Sequence, residues 1–157
     1  MDYIYLDYNC FQRGFDDPRQ IKIQLEALAC EEVFKQAEKK SVGLVWSFMH
    51  EDENSLCPFL ERKWEATRLS DLCKIKVDPE KEIYNFAKDF QQKAKLSAKD
   101  AVHLACAFYA KCKIFLSCDD ELLKRAKRLN LEMKVMNPID YVRETNRESK
   151  NYGRRRN

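Results

Sequence analysis

Tyr3-Ile4-Tyr5-Leu6-Asp7, near the start of the chain, is a run of four apolar or aromatic residues closed by an acid. The same arrangement returns at Ile114-Phe115-Leu116, which leads through Ser117 and Cys118 to Asp119. Short apolar runs without strict alternation suit strands buried on both faces. Val42 to Trp46 reads the same way, as does Met133 to Met136, where Lys134 interrupts the apolar pattern. Between these runs, helical periodicity spans Gln20–Lys39, Phe48–Leu56, Phe59–Cys73, Pro79–Lys93, Ala98–Lys111 and Asp120–Leu129. Strands alternating with helices imply right-handed crossovers and a mostly parallel sheet.

Such sheets bind ligands beyond the carboxyl ends of their strands. Asp7 and Asp119 directly follow predicted strands, which puts both at that edge. Glu53 falls about two helical turns after the strand ending at Trp46, still near it. Asp100 opens a helix that runs back antiparallel to the following strand, so its start lies over the same edge. Each acid also has an ordinary explanation. Ser97-Ala98-Lys99-Asp100 fits a capping box. Asp119 and Asp120 suit the start of a helix. Asp7 fits an Asx-turn, and Glu53 is one of three consecutive acids with Glu51 and Asp52. It is their joint arrival at one edge that calls for a further account.

Two carboxylates about 4 Å apart at an effective dielectric near 20 repel by roughly 4 kcal/mol. A cluster of them must either protonate or hold a cation. Oxygen ligands without a histidine cluster point to a hard ion, Mg²⁺ or Mn²⁺. Such ions support attack of water on a phosphodiester. His103, one turn after Asp100, reads as a partly buried structural histidine on a neighbouring face. No GxSxG elbow, Walker lysine loop or GxGxxG occurs, and three glycines leave little for phosphate-cradling loops.

Composition bounds the rest. The 157 residues suit one domain. No apolar run approaches the roughly 20 residues of a membrane span, and Asp2 and Asp7 break the early apolar stretch that a secretory signal would need. The expected location is therefore the cytoplasm. Seven cysteines, an odd number without a CxxC pair, read as reduced and buried thiols. With only His50 and His103 besides, a four-ligand zinc site is not expected. The formal charge of +3 is uneven: residues 143–157 hold Arg143, Arg147, Lys150, Arg154, Arg155 and Arg156 against Glu144 and Glu148, a net +4. The body, residues 1–142, is near neutral. The basic segment is expected to be a flexible, solvated tail, with a phosphate-attracting arm as the alternative.

Tyr5-Leu6-Asp7-Tyr8-Asn9, Ser47 followed by Glu53, Asp100-Ala101-Val102-His103-Leu104-Ala105 and Phe115-Leu116-Ser117-Cys118-Asp119 resemble, in order and spacing, the signatures of PIN-domain proteins, and within them the VapC-like group. The resemblance covers about residues 3–142, including Met136-Asn137-Pro138. It implies a three-layer α/β/α fold around a mostly parallel sheet and a Mg²⁺- or Mn²⁺-dependent ribonuclease site. Asp7, Glu53, Asp100 and Asp119 match the acidic metal-binding positions. Asn9 and Ser117 match polar positions that orient the carboxylates or a metal-bound water, with Asp120 as an auxiliary. Cys118 departs from the pattern, standing where many relatives carry a polar residue. The same resemblance implies an RNA substrate, an antitoxin partner and a homodimer. The stretches Ile21–Ala37 and Phe59–Leu72 could form a partner groove, although a core-facing stripe also accounts for them.

Two other readings share this layout. One is a PIN-like RNA-binding or scaffolding protein with little catalytic activity. The other is a phosphoacceptor receiver domain, which needs a lysine after the last strand where Asn137-Pro138 stands.

Overall fold

A computed structural model describes the backbone of residues 1–156 and the side chains of residues 1–154. Its centre is a five-stranded, wholly parallel sheet made of β1 (Asp2–Leu6), β2 (Val42–Ser47), β3 (Ile75–Val77), β4 (Ile114–Leu116) and β5 (Lys134–Met136). The spatial order is β3-β2-β1-β4-β5. The chain winds outward from β1 to one side, then returns and winds to the other. The direction reverses between β1 and β4, and a crevice opens there at the carboxyl ends of the strands.

Eight α-helices cover the two faces among the described residues: α1 (Tyr8–Gln12), α2 (Ile21–Glu38), α3 (Phe48–Ser55), α4 (Leu60–Ser70), α5 (Lys81–Ala94), α6 (Ala98–Tyr109), α7 (Asp120–Ala126) and α8 (Pro138–Arg156). The side-chain period of two in a strand sends β1 residues to opposite sides. Tyr5 joins Val45, Val77 and Phe115 in a core with Ile83, Phe90 and Leu104 from α5 and α6. Ile4 and Leu6 join Leu44, Trp46 and Leu116 in a second core with Val33, Phe34, Leu69 and Tyr141 from α2, α4 and α8. The architecture is thus the three-layer α/β/α sandwich expected from the alternation of elements. No described helix is long and apolar enough to cross a membrane.

Three of these elements escaped the periodicity: α1, β3 and α8. Ile75-Lys76-Val77 pairs with β2 at the edge of the sheet, yet three residues carry too little pattern to announce a strand. Helix α8 begins where Asn137 Oδ1 accepts the amide of Ile139 at 2.9 Å, with Pro138 as its first residue. Pro suits that position because its missing N–H would be unpaired anyway. The boundary expected between residues 142 and 143 falls inside this helix, so the basic segment is continuous with the domain through Arg156. The side chains of Arg155 and Arg156 and the whole of Asn157 lie outside the described residues.

Helix ends show how the chain manages with few glycines. Lys95 and Asn130 take left-handed conformations, at φ of 56° and 49°, where helices stop. Glycine is the usual residue for such caps; asparagine tolerates them, and lysine does so at some steric cost.

Candidate active site at the switch point

Asp7 ends β1 at the reversal point and caps α1, its Oδ1 accepting the amide of Tyr8 at 2.8 Å. Its other oxygen, Oδ2, accepts from the Ser117 hydroxyl at 2.7 Å and from the Asn9 amide at 3.1 Å. Asn9 also donates to Ser117 Oγ at 3.1 Å, and its carbonyl accepts the amide of Cys118 at 3.2 Å. The loops after β1 and β4 are therefore joined by one amide and one hydroxyl, which hold the Asp7 carboxylate at 6% exposure.

Glu53 arrives on α3. The three consecutive acids of that helix separate cleanly: Glu51 takes the Trp46 indole N–H at 2.8 Å, Asp52 is exposed, and Glu53 is half-buried against His103. Ligand atoms of Asp7, Glu53 and His103 lie within 4.8 Å of one another. His103 Nε2 hydrogen-bonds Glu53 Oε1 and stands 3.9 Å from Asp7 Oδ1. Lys99 Nζ, mostly exposed, is 3.7 Å from Glu53 Oε2.

His103 is fully buried, and its placement is the feature that the sequence reading missed. The usable signal was its spacing, since residues three apart on a helix are neighbours and Asp100 was already assigned to the edge. Behind His103 runs a chain of buried polar groups. Tyr5 Oη lies 2.6 Å from His103 Nδ1 and 2.7 Å from Ser47 Oγ, which lies 3.2 Å from His50 Nδ1. The Ser47 amide donates to His50 Nδ1 at 2.9 Å, so Nε2 carries the hydrogen and donates to the Leu6 carbonyl at 2.6 Å. Burial pushes the Tyr5 phenol well up and the His50 imidazole well down, so both are neutral. Tyr5 Oη and His103 Nδ1 share one hydrogen bond, and His103 Nε2 faces Glu53 Oε1. The histidine holds a carboxylate through Nε2, which leaves oxygens as the free ligand atoms of the site.

Burial also pushes the Asp7 carboxyl up; His103 and the Ser117 hydroxyl pull it down, and the charges of Glu53 and Asp100 add to the rise. Asp100 is thus near enough to act on Asp7, while its own amide donates to Ser97 Oγ at 3.1 Å at the start of α6. Asp119 reaches Asp7 through Ser117, whose Oγ accepts the Asp119 amide at 3.0 Å. The Asp119 carboxylate itself caps α7, Oδ1 accepting the amides of Glu121 and Leu122 at 3.0 and 3.1 Å. Asp120 points elsewhere and pairs with Lys22 at the surface. The tight group is therefore Asp7, Glu53 and His103, with Asp100 and Asp119 around it and Asp120 apart.

A divalent cation suits this chemistry. A buried carboxylate whose pKa is raised partly by two further carboxylates is relieved by positive charge, and oxygen donors suit a hard divalent ion.

Comparison with known proteins agrees with the fold. Among solved structures, the chain is similar to FitAcB from Neisseria gonorrhoeae, with 15% identity and a TM-score of 0.57 over 86% of this chain and 97% of that one. A toxin-antitoxin complex from Klebsiella pneumoniae is 14% identical with a TM-score of 0.54, covering 86% and 97%. VapBC2 from Rickettsia felis, bound to a DNA fragment from its promoter, is 10% identical with a TM-score of 0.57, covering 86% and 98%. No curated protein matches the chain. The PIN domain family model matches residues 45–129, more than half of the sequence and the part that carries Glu53, Asp100, His103 and Asp119. This chain belongs to the PIN domain family.

Proposed function

We propose that the chain is an endoribonuclease of the cytosol that depends on Mg²⁺ or Mn²⁺ and serves as the toxin of a toxin-antitoxin pair. The observation that carries this reading is the buried Asp7 carboxylate at the switch point, with ligand atoms of Glu53 and His103 within 4.8 Å of it. Asp7 and Glu53 would hold the cation, with Asp100 and Asp119 completing the acidic rim. A bound cation would supply an activated water and positive charge for the phosphodiester. Ser117 and Asn9 keep Asp7 from rotating away from that position. His103 and Lys99 hold the Glu53 carboxylate, so the acids are placed before substrate arrives.

Large apolar side chains are exposed on two helices. Ile21 and Leu28 on α2, and Phe59, Leu60 and Trp64 at the start of α4, are 61 to 73% exposed. Exposed apolar groups of this kind suit an amphipathic antitoxin segment. The similarity to the Klebsiella pneumoniae toxin-antitoxin complex supports the same partner class. An equivalent contact between two copies of the chain would give a homodimer.

The test is cleavage of single-stranded RNA by the purified chain. Cutting should require Mg²⁺ or Mn²⁺, stop with EDTA and be lost in Asp7→Asn, while that variant keeps its far-ultraviolet circular dichroism. Binding of RNA without cutting in any metal would replace this reading with a binding or scaffolding role.

A further inference from the structure

Three of the seven cysteines converge. Cys10 on α1, Cys30 on α2 and Cys118 in the loop after β4 bring their sulfurs within 4.8 Å of one another, at 2, 3 and 5% exposure. None of the cysteines forms a disulfide. Gap-filling by small apolar side chains explains the burial but not the surroundings. Arg13 lies against Cys118, and its guanidinium Nε faces Glu26 Oε1 at 3.2 Å, both atoms buried without a hydrogen bond. Two of the three cysteines also border a cavity. A cavity of about 580 Å³ between α1, α2 and α4 is lined by Cys10 and Cys30 together with Phe11, Phe34 and Leu69.

We propose that Cys10, Cys30 and Cys118 form a binding site for a soft monovalent ion of the Cu(I) class, held by three sulfurs. Sulfur-only donors select soft ions. Structural zinc sites take four protein ligands, and among the described residues no fourth Cys, His, Asp or Glu joins this group, while a three-ligand zinc site needs an open position for water that sulfurs at 2 to 5% exposure do not offer. Metal–sulfur bonds of about 2.3 Å in a trigonal plane place sulfurs about 4 Å apart, within the observed separation. Each thiol releases its proton on ligation, and the Arg13 guanidinium, which also pairs with Asp16 and Glu26, lies beside the sulfurs. The ion would tie α1 and α2 to the β4–α7 loop. Cys10 is three residues beyond Asp7 and Cys118 immediately precedes Asp119, so the staple lies under both acid-bearing loops. The proposal stands apart from the nuclease reading, because its readouts are binding and coordination.

The experiment titrates the reduced full chain with Cu(I) under exclusion of oxygen, against the chromophoric chelator bicinchoninate, and follows the ultraviolet thiolate-to-copper charge-transfer band. A single ion per chain is expected. Cys30→Ser should weaken binding by more than about a hundredfold, since even partners outside a ligand set can cost that much. Cys73→Ser, buried elsewhere, and Cys57→Ser, partly exposed, should bind as the parent does. Cys30 is the diagnostic position because it lies on α2, away from the acid-bearing loops. Should Cys30→Ser fail to fold, X-ray absorption on the copper-loaded parent decides, with three sulfurs near 2.3 Å expected. Unchanged affinity in a folded Cys30→Ser, loss of binding in Cys57→Ser, or a shell of two sulfurs or of nitrogen and oxygen would overturn the proposal.

Discussion

Two side-chain carboxylates are buried among the described residues, and their neighbours differ in kind. Glu26, at 1% exposure, faces Arg13 at 3.2 Å, and its second oxygen accepts the Asn137 amide at 2.6 Å. Its charge is answered locally by a cation and a donor, and the contact pins α2 to the 3-10 turn after α1 and to the start of α8. Asp7, at 6% exposure, also has donors, but the nearest other charged groups include Glu53 and Asp100, which repeat its own charge. Burial pushes both carboxyls above their ordinary range. The Glu26 site is paired with a cation, whereas the Asp7 site sets like charges against one another, the setting in which we propose that a cation binds. Burial of an acid therefore does not by itself distinguish architecture from function; the sign of the surrounding charges does.

The comparison breaks most sharply on Arg13. Arg13→Ala strips Glu26 of its cation and should destabilise the fold by about 3 kcal/mol or more. Asp7→Asn should cost clearly less, because relieved repulsion offsets part of its lost hydrogen bonding. Urea unfolding of the two variants in EDTA measures both, and equal losses would erase the distinction. Next in size is the metal response. Mn²⁺ at a hundredfold excess over its dissociation constant should stabilise the parent by about 2.7 kcal/mol. Thermal unfolding should show that gain in Glu26→Gln and lose it in Asp7→Asn.

The pH response sharpens the contrast further. A carboxyl whose folded pKa is raised binds its proton more tightly folded than unfolded. Its contribution to stability is fully present below the unfolded pKa and is lost as pH rises through the folded one. Both Glu26 and Asp7 contribute a decline of this sign in metal-free protein. Glu26→Gln and Asp7→Asn should each remove one part of it, and saturating Mn²⁺ should cancel the Asp7 part alone. Chemical denaturation from acid to neutral pH, with and without Mn²⁺, separates the two. The smallest effect belongs to Asp100→Asn, which removes one repelling charge without touching the buried hydrogen bonds of Asp7. It should raise metal-free stability by no more than about 1 kcal/mol and weaken the Mn²⁺ response. A loss of stability on that substitution would mean that the Asp100 carboxylate is held by a favourable contact.

Much of the acidic edge was legible because the apolar runs Tyr3–Leu6 and Ile114–Leu116 are short, buried on both faces at Ile4–Leu6 and Phe115–Leu116, and closely followed by acids. Parallel pairing then leaves those acids little freedom of position. Glu53 could not be told from Glu51 and Asp52 by spacing. Rotation about the axis of α3 separates them, sending Glu51 to Trp46 and Glu53 to His103. The role of His103 was hidden for a related reason. An imidazole on a buried helix face is the same letter whether it fills the core or orients a carboxylate, and the answer came from Tyr5 on another element.

The sequence by itself determined the alternation of strands and helices, the three-layer class and the arrival of acids at the carboxyl ends of two strands. These follow from local periodicity and from the directions that a parallel crossover allows. Only the tertiary structure decided which groups meet: the Glu53–His103–Tyr5–Ser47 chain, the Arg13–Glu26–Asn137 contact and the three sulfurs drawn from α1, α2 and the β4–α7 loop. Each of these joins residues between 13 and 111 positions apart or more than one element at once. Their contact is set by strand order and helix rotation, which appear in no single stretch of the chain.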